Sequence, residues 1–327
     1  MLTPYTKQHL STDQQVAKLK HYGLIVHNEN YAKKCLIQYN YYRLSAYWHI
    51  FRLPDPLNSR KKLSVFKPDC TFEKVIQLYE FDKNLRNLIF KAITEIETFL
   101  RTQIAYHLPS IANNAFAVYD ISLFQNKKFC RHVDLIKSID ADVERGSKED
   151  FIEHYKNTYS ATLTVNRQPQ LPLWMLTEIL SFGTLRKIYA GLKPLHKKQI
   201  VSCFNIKIST THNPLNIYHA VDFKDLDSYL FLINKYRNIC AHHGRLWNRR
   251  VANVLKANAA NNLNIAGHTH GGLYAILIVI ARLMEPTGHA KEWKDSIYTL
   301  VKNNFPLDDI CKYTTLPNNW YEHTIWK

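Results

Sequence analysis

The chain has 327 residues, 46% of them hydrophobic and 21% charged, which excludes a disordered polymer and leaves room for a sizeable buried core. Its 43 lysines and arginines against 27 aspartates and glutamates give a formal charge of +16, a balance that favours a polyanionic partner such as nucleic acid. Six widely spaced cysteines, none in a Cys-x-x-Cys pair, argue against a zinc site or a disulfide scaffold and fit reduced thiols in the cytoplasm.

Helical signals run along the chain. Ser11 with Gln14 has the form of a capping box opening a helix over Val16, Leu19 and Lys20, which Gly23 closes. A second, aromatic-rich helical stretch from Asn30 to about Phe51 gathers Tyr39, Tyr41, Tyr42, Arg43, Tyr47, Trp48 and His49. Unpaired RNA bases stack on such rings and on arginine planes, but in a helix most of these rings would be core. Pro54-Asp55-Pro56 breaks the stretch and a basic turn, Arg60-Lys61-Lys62, follows. From this set Arg43, Tyr47, Lys61 and Lys62 are candidate RNA contacts. Thr71 then caps the longest pattern, with apolar residues recurring from Phe72 to Leu108, and Pro109 is expected to end that helix.

Residues 110–130 read as a loop with a short helix, and Asp134–Asp142 and Lys148–Thr158 as two helices. Thr162–Pro172 is polar and proline-bearing, so 160–172 is the candidate linker or long loop. Leu173–Leu192 reads as a helix interrupted at Gly183, and Lys193–Phe204 as another. Asn253–Gly272 is expected to be an exposed helix end and loop; its His268-Thr269-His270 lacks further metal ligands, and neither a metal nor any other cofactor is expected. Two helices, Ile276–Met284 and Trp293–Val301, close the chain. The longest apolar run, Leu273–Ala281, is too short to span a bilayer, and Met1–Leu10 has no apolar core of signal-peptide length, so no membrane association is expected. Period-two alternation is nearly absent, which predicts an all-α fold. The expected organisation is one helical unit over 1–327, with N-terminal helices (1–70) on a core (71–250) and a C-terminal cap (251–327).

The chemistry concentrates at Tyr236-Arg237-Asn238-Ile239-Cys240-Ala241-His242-His243-Gly244. Val221, Leu226, Tyr229, Leu230, Leu232, Ile233, Tyr236, Ile239 and Cys240 supply an apolar face, so Arg237, Asn238 and His242 should point away from the core, within a sector of roughly 140°. Gly244 reads as the C-terminal cap. A guanidinium fork, an amide and an imidazole at that spacing can bracket a phosphate. For RNA they would stabilise charge on the phosphorane-like transition state and deliver a proton to the leaving 5′-oxygen after the ribose 2′-hydroxyl attacks. One imidazole is short of the two that acid and base roles call for, and a two-fold homodimer with a composite site would supply the second. Arg245, Arg249 and Arg250, just past the motif, are further candidate RNA contacts. The competing reading is a solvated helix face, since Arg43/His49, Arg101/His107 and Arg282/His289 share the loose Arg-to-His spacing; only Arg237 is followed directly by asparagine.

The Arg-Asn-x-x-x-His element resembles the signature of HEPN ribonuclease domains, and its surroundings are similar to Abi-like proteins of bacterial abortive infection. The segments that carry the resemblance are Tyr41–Trp48, Tyr79–Arg86, Glu95–Thr102, Pro172–Met175, Leu180–Leu185 and Tyr236–Trp247. The resemblance implies a HEPN-like helical bundle with additional N- and C-terminal helices, RNA as substrate or bound partner, and phage defence through growth arrest. It also implies that Glu97 and Arg101, an i, i+4 pair able to form an internal ion pair, sit on a helix beside that of Arg237; either holds Arg237 or touches the phosphate, or the two make only a surface salt bridge. His243 belongs to the same surrounding set. Three functions stay open at this stage: a metal-independent endoribonuclease toxin, a non-cleaving protein that captures a small structured RNA, and a toxin silenced by an RNA or protein partner.

Overall fold

A computed structural model describes residues 4, 6–125, 131–204, 221–252, 255–303, 305–308 and 310–326. Part of the expected loop at 110–130, with Cys130, lies outside the described residues. Within them the chain is mostly helical, as expected, with thirteen α-helices and a single two-stranded sheet. It divides into two compact units, one comprising Met1–Arg86 with Thr299–Lys312, the other Asn87–Tyr298 with Tyr313–Lys327.

In the first unit α1 (Thr12–His21) opens on the expected capping box. The Ser11 N–H donates to Gln14 Oε1 at 2.8 Å and the Gln14 N–H to Ser11 Oγ at 3.3 Å, which satisfies two of the donors a helix start leaves free. Gly23, at φ +90°, takes the chain out of the helix in the left-handed region. The aromatic stretch, expected as one helix, is two: α2 (Glu29–Tyr39) and α3 (Tyr41–Trp48). Asn40 divides them at φ 69°, and its Oδ1 accepts the Tyr42 N–H at 2.8 Å, so one residue ends a helix and caps the next.

Where a basic turn was expected stands a hairpin, β1 (Arg52–Asp55) and β2 (Asn58–Phe66), antiparallel with Arg52 opposite Phe66 and Asp55 opposite Asn58. Asp55 Oδ1 accepts the Leu57 N–H at 2.8 Å and reverses the chain before the basic residues, which therefore lie on a strand. Lys61, Leu63 and Val65 are all exposed, so the strand never shows the apolar-polar alternation that betrays a half-buried one.

α4 (Phe72–Ala112) continues one turn beyond the expected stop, with Pro109 inside it and Asn113, at φ 47°, ending it. In the first unit α4 supplies Asp82 and Arg86, which are 0% and 5% exposed. Tyr47 Oη donates to Asp82 Oδ2 at 2.6 Å, and Arg86 Nη1 donates to the same carboxylate at 2.5 Å and to Tyr47 Oη at 3.2 Å. Tyr47 is thus a core residue, 2% exposed, and the expectation that it contacts RNA is corrected: its ring is packed and its hydroxyl is spent on a buried carboxylate. Burial, with the Asp82 charge, pushes the Tyr47 hydroxyl far above the usual tyrosine range.

The second unit holds the rest of α4, then α5 (His132–Arg145), α6 (Asp150–Thr158), α7 (Leu173–Ile179), α8 (Phe182–Gly191), α9 (Pro194–Ser202), α10 (Phe223–Ala241), α11 (Ala257–Asn262), α12 (Leu273–Met284) and α13 (Ala290–Tyr298). α10 packs against α8, α9, α11 and α12, and α12 is buried on nearly every side. Among the described residues no helix is long and apolar enough to cross a membrane. The break expected at Gly183 falls earlier, at Leu180-Ser181, because Ser181 caps α8 by accepting the Thr184 N–H. The stretch before α12, expected to be exposed, buries Ala259, Ala260, Leu263 and Ile265 around α11; residues 253–254 lie outside the described set.

Candidate functional site

The inward face of α10 is fixed by burial and by two phenol hydrogen bonds. Tyr229 Oη donates to the Ala259 carbonyl at 3.2 Å and Tyr236 Oη to the Gly271 carbonyl at 3.1 Å, and burial drives both hydroxyls above the usual tyrosine range. With those rings turned inward, helical spacing sends Asn238 and His242 to solvent, and both are exposed; Arg237 lies at the margin, its side chain 35% exposed.

The helix ends through a Schellman motif. The Gly244 N–H donates to the Ile239 carbonyl at 2.8 Å and the His243 N–H to the Cys240 carbonyl at 3.0 Å. The left-handed position falls on His243, at φ 53°, and not on Gly244, which corrects the expected cap by one residue. His242 is the terminal cap itself, placing its imidazole at the end of the helix where the macrodipole is negative.

Arg237 Nε is buried without a hydrogen-bond partner and lies 4.0 Å from Glu97 Oε2. The other Glu97 oxygen accepts from Arg101 Nη2, and that same nitrogen also donates to the Leu180 carbonyl at 2.6 Å. Arg101 Nη1 donates to the Thr177 carbonyl. Glu97 thus stands at the limit of ion-pair distance from Arg237, while the Arg101 side chain is 19% exposed and its fork grips the end of α7. A sequence cannot reveal carbonyl partners so far along the chain.

Arg249 and Arg250 are exposed and Arg245 is half-buried in the turn after α10. That turn is fastened where the Val251 N–H donates to the Gly271 carbonyl at 2.8 Å. A methyl on Gly271 would run into the Val251 carbonyl, so only glycine fits there. Arg43, exposed on α3, and Lys61 and Lys62 on β2 belong to the first unit, Lys61 exposed and Lys62 half-buried.

Sequence reasoning missed one group near the motif. Phe231, on α10, has the Arg186 guanidinium 4.9 Å from its ring centroid and the Lys235 ammonium at 5.3 Å. The spacing of four, three and four residues through Phe231, Lys235, Asn238 and His242 is the signal the sequence carries for it.

Fold and site together define a helical protein whose long internal helix presents an arginine, an asparagine and a histidine at its open end. The chain belongs to the Abi-like protein family, whose model matches residues 34–248. That membership associates it with abortive infection, a form of phage defence. No curated protein and no solved structure matches the chain.

Proposed function

We propose that this Abi-like protein is a metal-independent endoribonuclease of the HEPN type that leaves 2′,3′-cyclic phosphate and 5′-hydroxyl ends, acting as the toxin of an abortive infection response. What supports the reading is the end of α10, where Asn238 and His242 are exposed and Arg237 Nε lies 4.0 Å from Glu97 Oε2. Once a base draws off the 2′-hydroxyl proton, the bond from the 2′-oxygen to phosphorus forms and the bond to the 5′-oxygen breaks. Arg237 meets the charge on the equatorial oxygens, Asn238 orients the phosphate, and the His242 imidazolium gives its proton to the departing oxygen. The base is the His242 of a second copy across a two-fold axis, which makes the working form a homodimer. The nucleophile is part of the ribose, so DNA is refractory.

The test is sequencing of 5′-hydroxyl RNA ends in cells expressing the wild type or His242→Ala. Loss of one general acid or base lowers cleavage by about 10²–10⁴-fold. RNA that stays bound to the wild type while no cyclic phosphate ever forms would leave a capture protein and no nuclease. The formal charge of +16 accommodates that second reading equally, which is why the products, and not affinity, decide.

A further inference from the structure

Phe231, Lys235, Asn238 and His242 leave α10 within a sector about 60° wide, so the cluster shares its stripe with Asn238 and His242 of the proposed catalytic set. The Arg186 guanidinium and the Lys235 ammonium both stand over the Phe231 ring, at 4.9 Å and 5.3 Å from its centroid. Lys235 is exposed, and among the described residues no carboxylate lies within ion-pair distance of it. The acid one turn earlier on the stripe, Asp227, is already met by Lys197 Nζ at 3.9 Å. Each cation is drawn to the face of the ring, and the exposed Lys235 ammonium keeps its charge available to an anion that approaches along the stripe.

Resting on the RNA reading above, we infer that Arg186, Phe231 and Lys235 form a second subsite that holds a phosphate of the RNA strand flanking the linkage to be cut. Lys235 lies seven residues before His242, about 10 Å along the helix axis. That separation places the subsite beyond the scissile phosphate, with the strand running along α10 towards α8. The cations hold the backbone and carry no sequence code, so the subsite sets where the strand lies and how tightly, not which bases are chosen. An acidic protein would suit the same charges, but continuity with the Asn238–His242 stripe favours the nucleic acid.

The experiment uses the full chain carrying His242→Ala, so that bound RNA stays intact, and reads the affinity of a short labelled oligoribonucleotide across a salt series. Adding Lys235→Ala should weaken binding about tenfold and lower the salt slope by about one, Lys235→Glu should weaken it further, and Lys235→Arg should restore it. Arg186→Gln should act in the same direction. Unchanged affinity and slope in both Lys235→Ala and Lys235→Glu overturn the subsite, as does an oligoribonucleotide that does not bind. Loss of binding to a polyglutamate probe with RNA binding intact also overturns it and makes the face a protein dock. If the wild type never cuts RNA while Lys235 still governs its binding, the nuclease reading fails and the subsite stands.

Discussion

His243 holds φ 53°, where a side chain costs about 1 kcal/mol or more relative to glycine, and it does so one residue after the proposed general acid. His243→Gly should therefore raise stability by about 1 kcal/mol in a urea titration. A lowered midpoint would mean that the imidazole itself holds the turn. Arg237→Lys should lower RNA cleavage by about 10²-fold, because an ammonium cannot reproduce the two-pronged grip of a guanidinium on a phosphate, with intact binding as the control. At this scale the outward side of Asn238 and His242 could be read from the sequence because both lie on one helix, whose periodicity fixes which side they take, while Arg237 falls at the margin. Tyr47 could not: its burial depends on Asp82 and Arg86, which only the fold brings to it.

Between elements, Arg101 straps α4 to the corner of α7 and α8, spanning the gap at Leu180-Ser181 with one guanidinium. Removing it leaves Glu97 mostly buried beside two carbonyls that have lost their donor. Arg101→Ala should cost about 3–5 kcal/mol in chemical denaturation, and the Glu97→Ala, Arg101→Ala double variant should cost less than the sum of the single ones. Additive losses would show that the two side chains act apart. The strap also accounts for the limits of sequence reading here. Long, strongly periodic helices such as α4 and α10 announced themselves, and the capping box of α1 stood where Ser11 and Gln14 placed it. The sequence pattern points to Gly183 for the α7–α8 break because a cap from Ser181 and a grip from Arg101 leave no periodic trace. The β1–β2 hairpin escaped because its exposed strand has no buried face to mark every second residue.

For the molecule as a whole, the charge of +16 should make the proposed RNA binding steeply dependent on salt, and the first unit contributes Arg43, Lys61 and Lys62 to that balance. Stability should depend on pH through His323. Its Nδ1 accepts the Ile325 N–H at 3.1 Å and its Nε2–H donates to the Leu263 carbonyl at 2.8 Å, an arrangement open only to the neutral ring. Burial first, and then the neighbouring His268, hold its pKa below the ordinary 6.5, against the upward pull of the Leu263 carbonyl. The unfolded chain then takes up a proton before the folded one. This contribution is complete above about pH 6.5 and is lost as pH falls from there towards the folded value. Thermal melts should fall between pH 7.5 and pH 5 by more in the wild type than in His323→Gln, and equal slopes would remove His323 as the cause.

The Gly271 carbonyl takes both the Tyr236 hydroxyl and the Val251 N–H, so one oxygen moors the end of α10 and the arginine-bearing turn beyond it. The three-residue signature is consequently not portable by itself. Grafted onto a foreign helix it would bring the side chains but not the anchored exit that sets how Arg249 and Arg250 follow them, whereas the segment from Tyr236 through Gly271 travels with its own mooring.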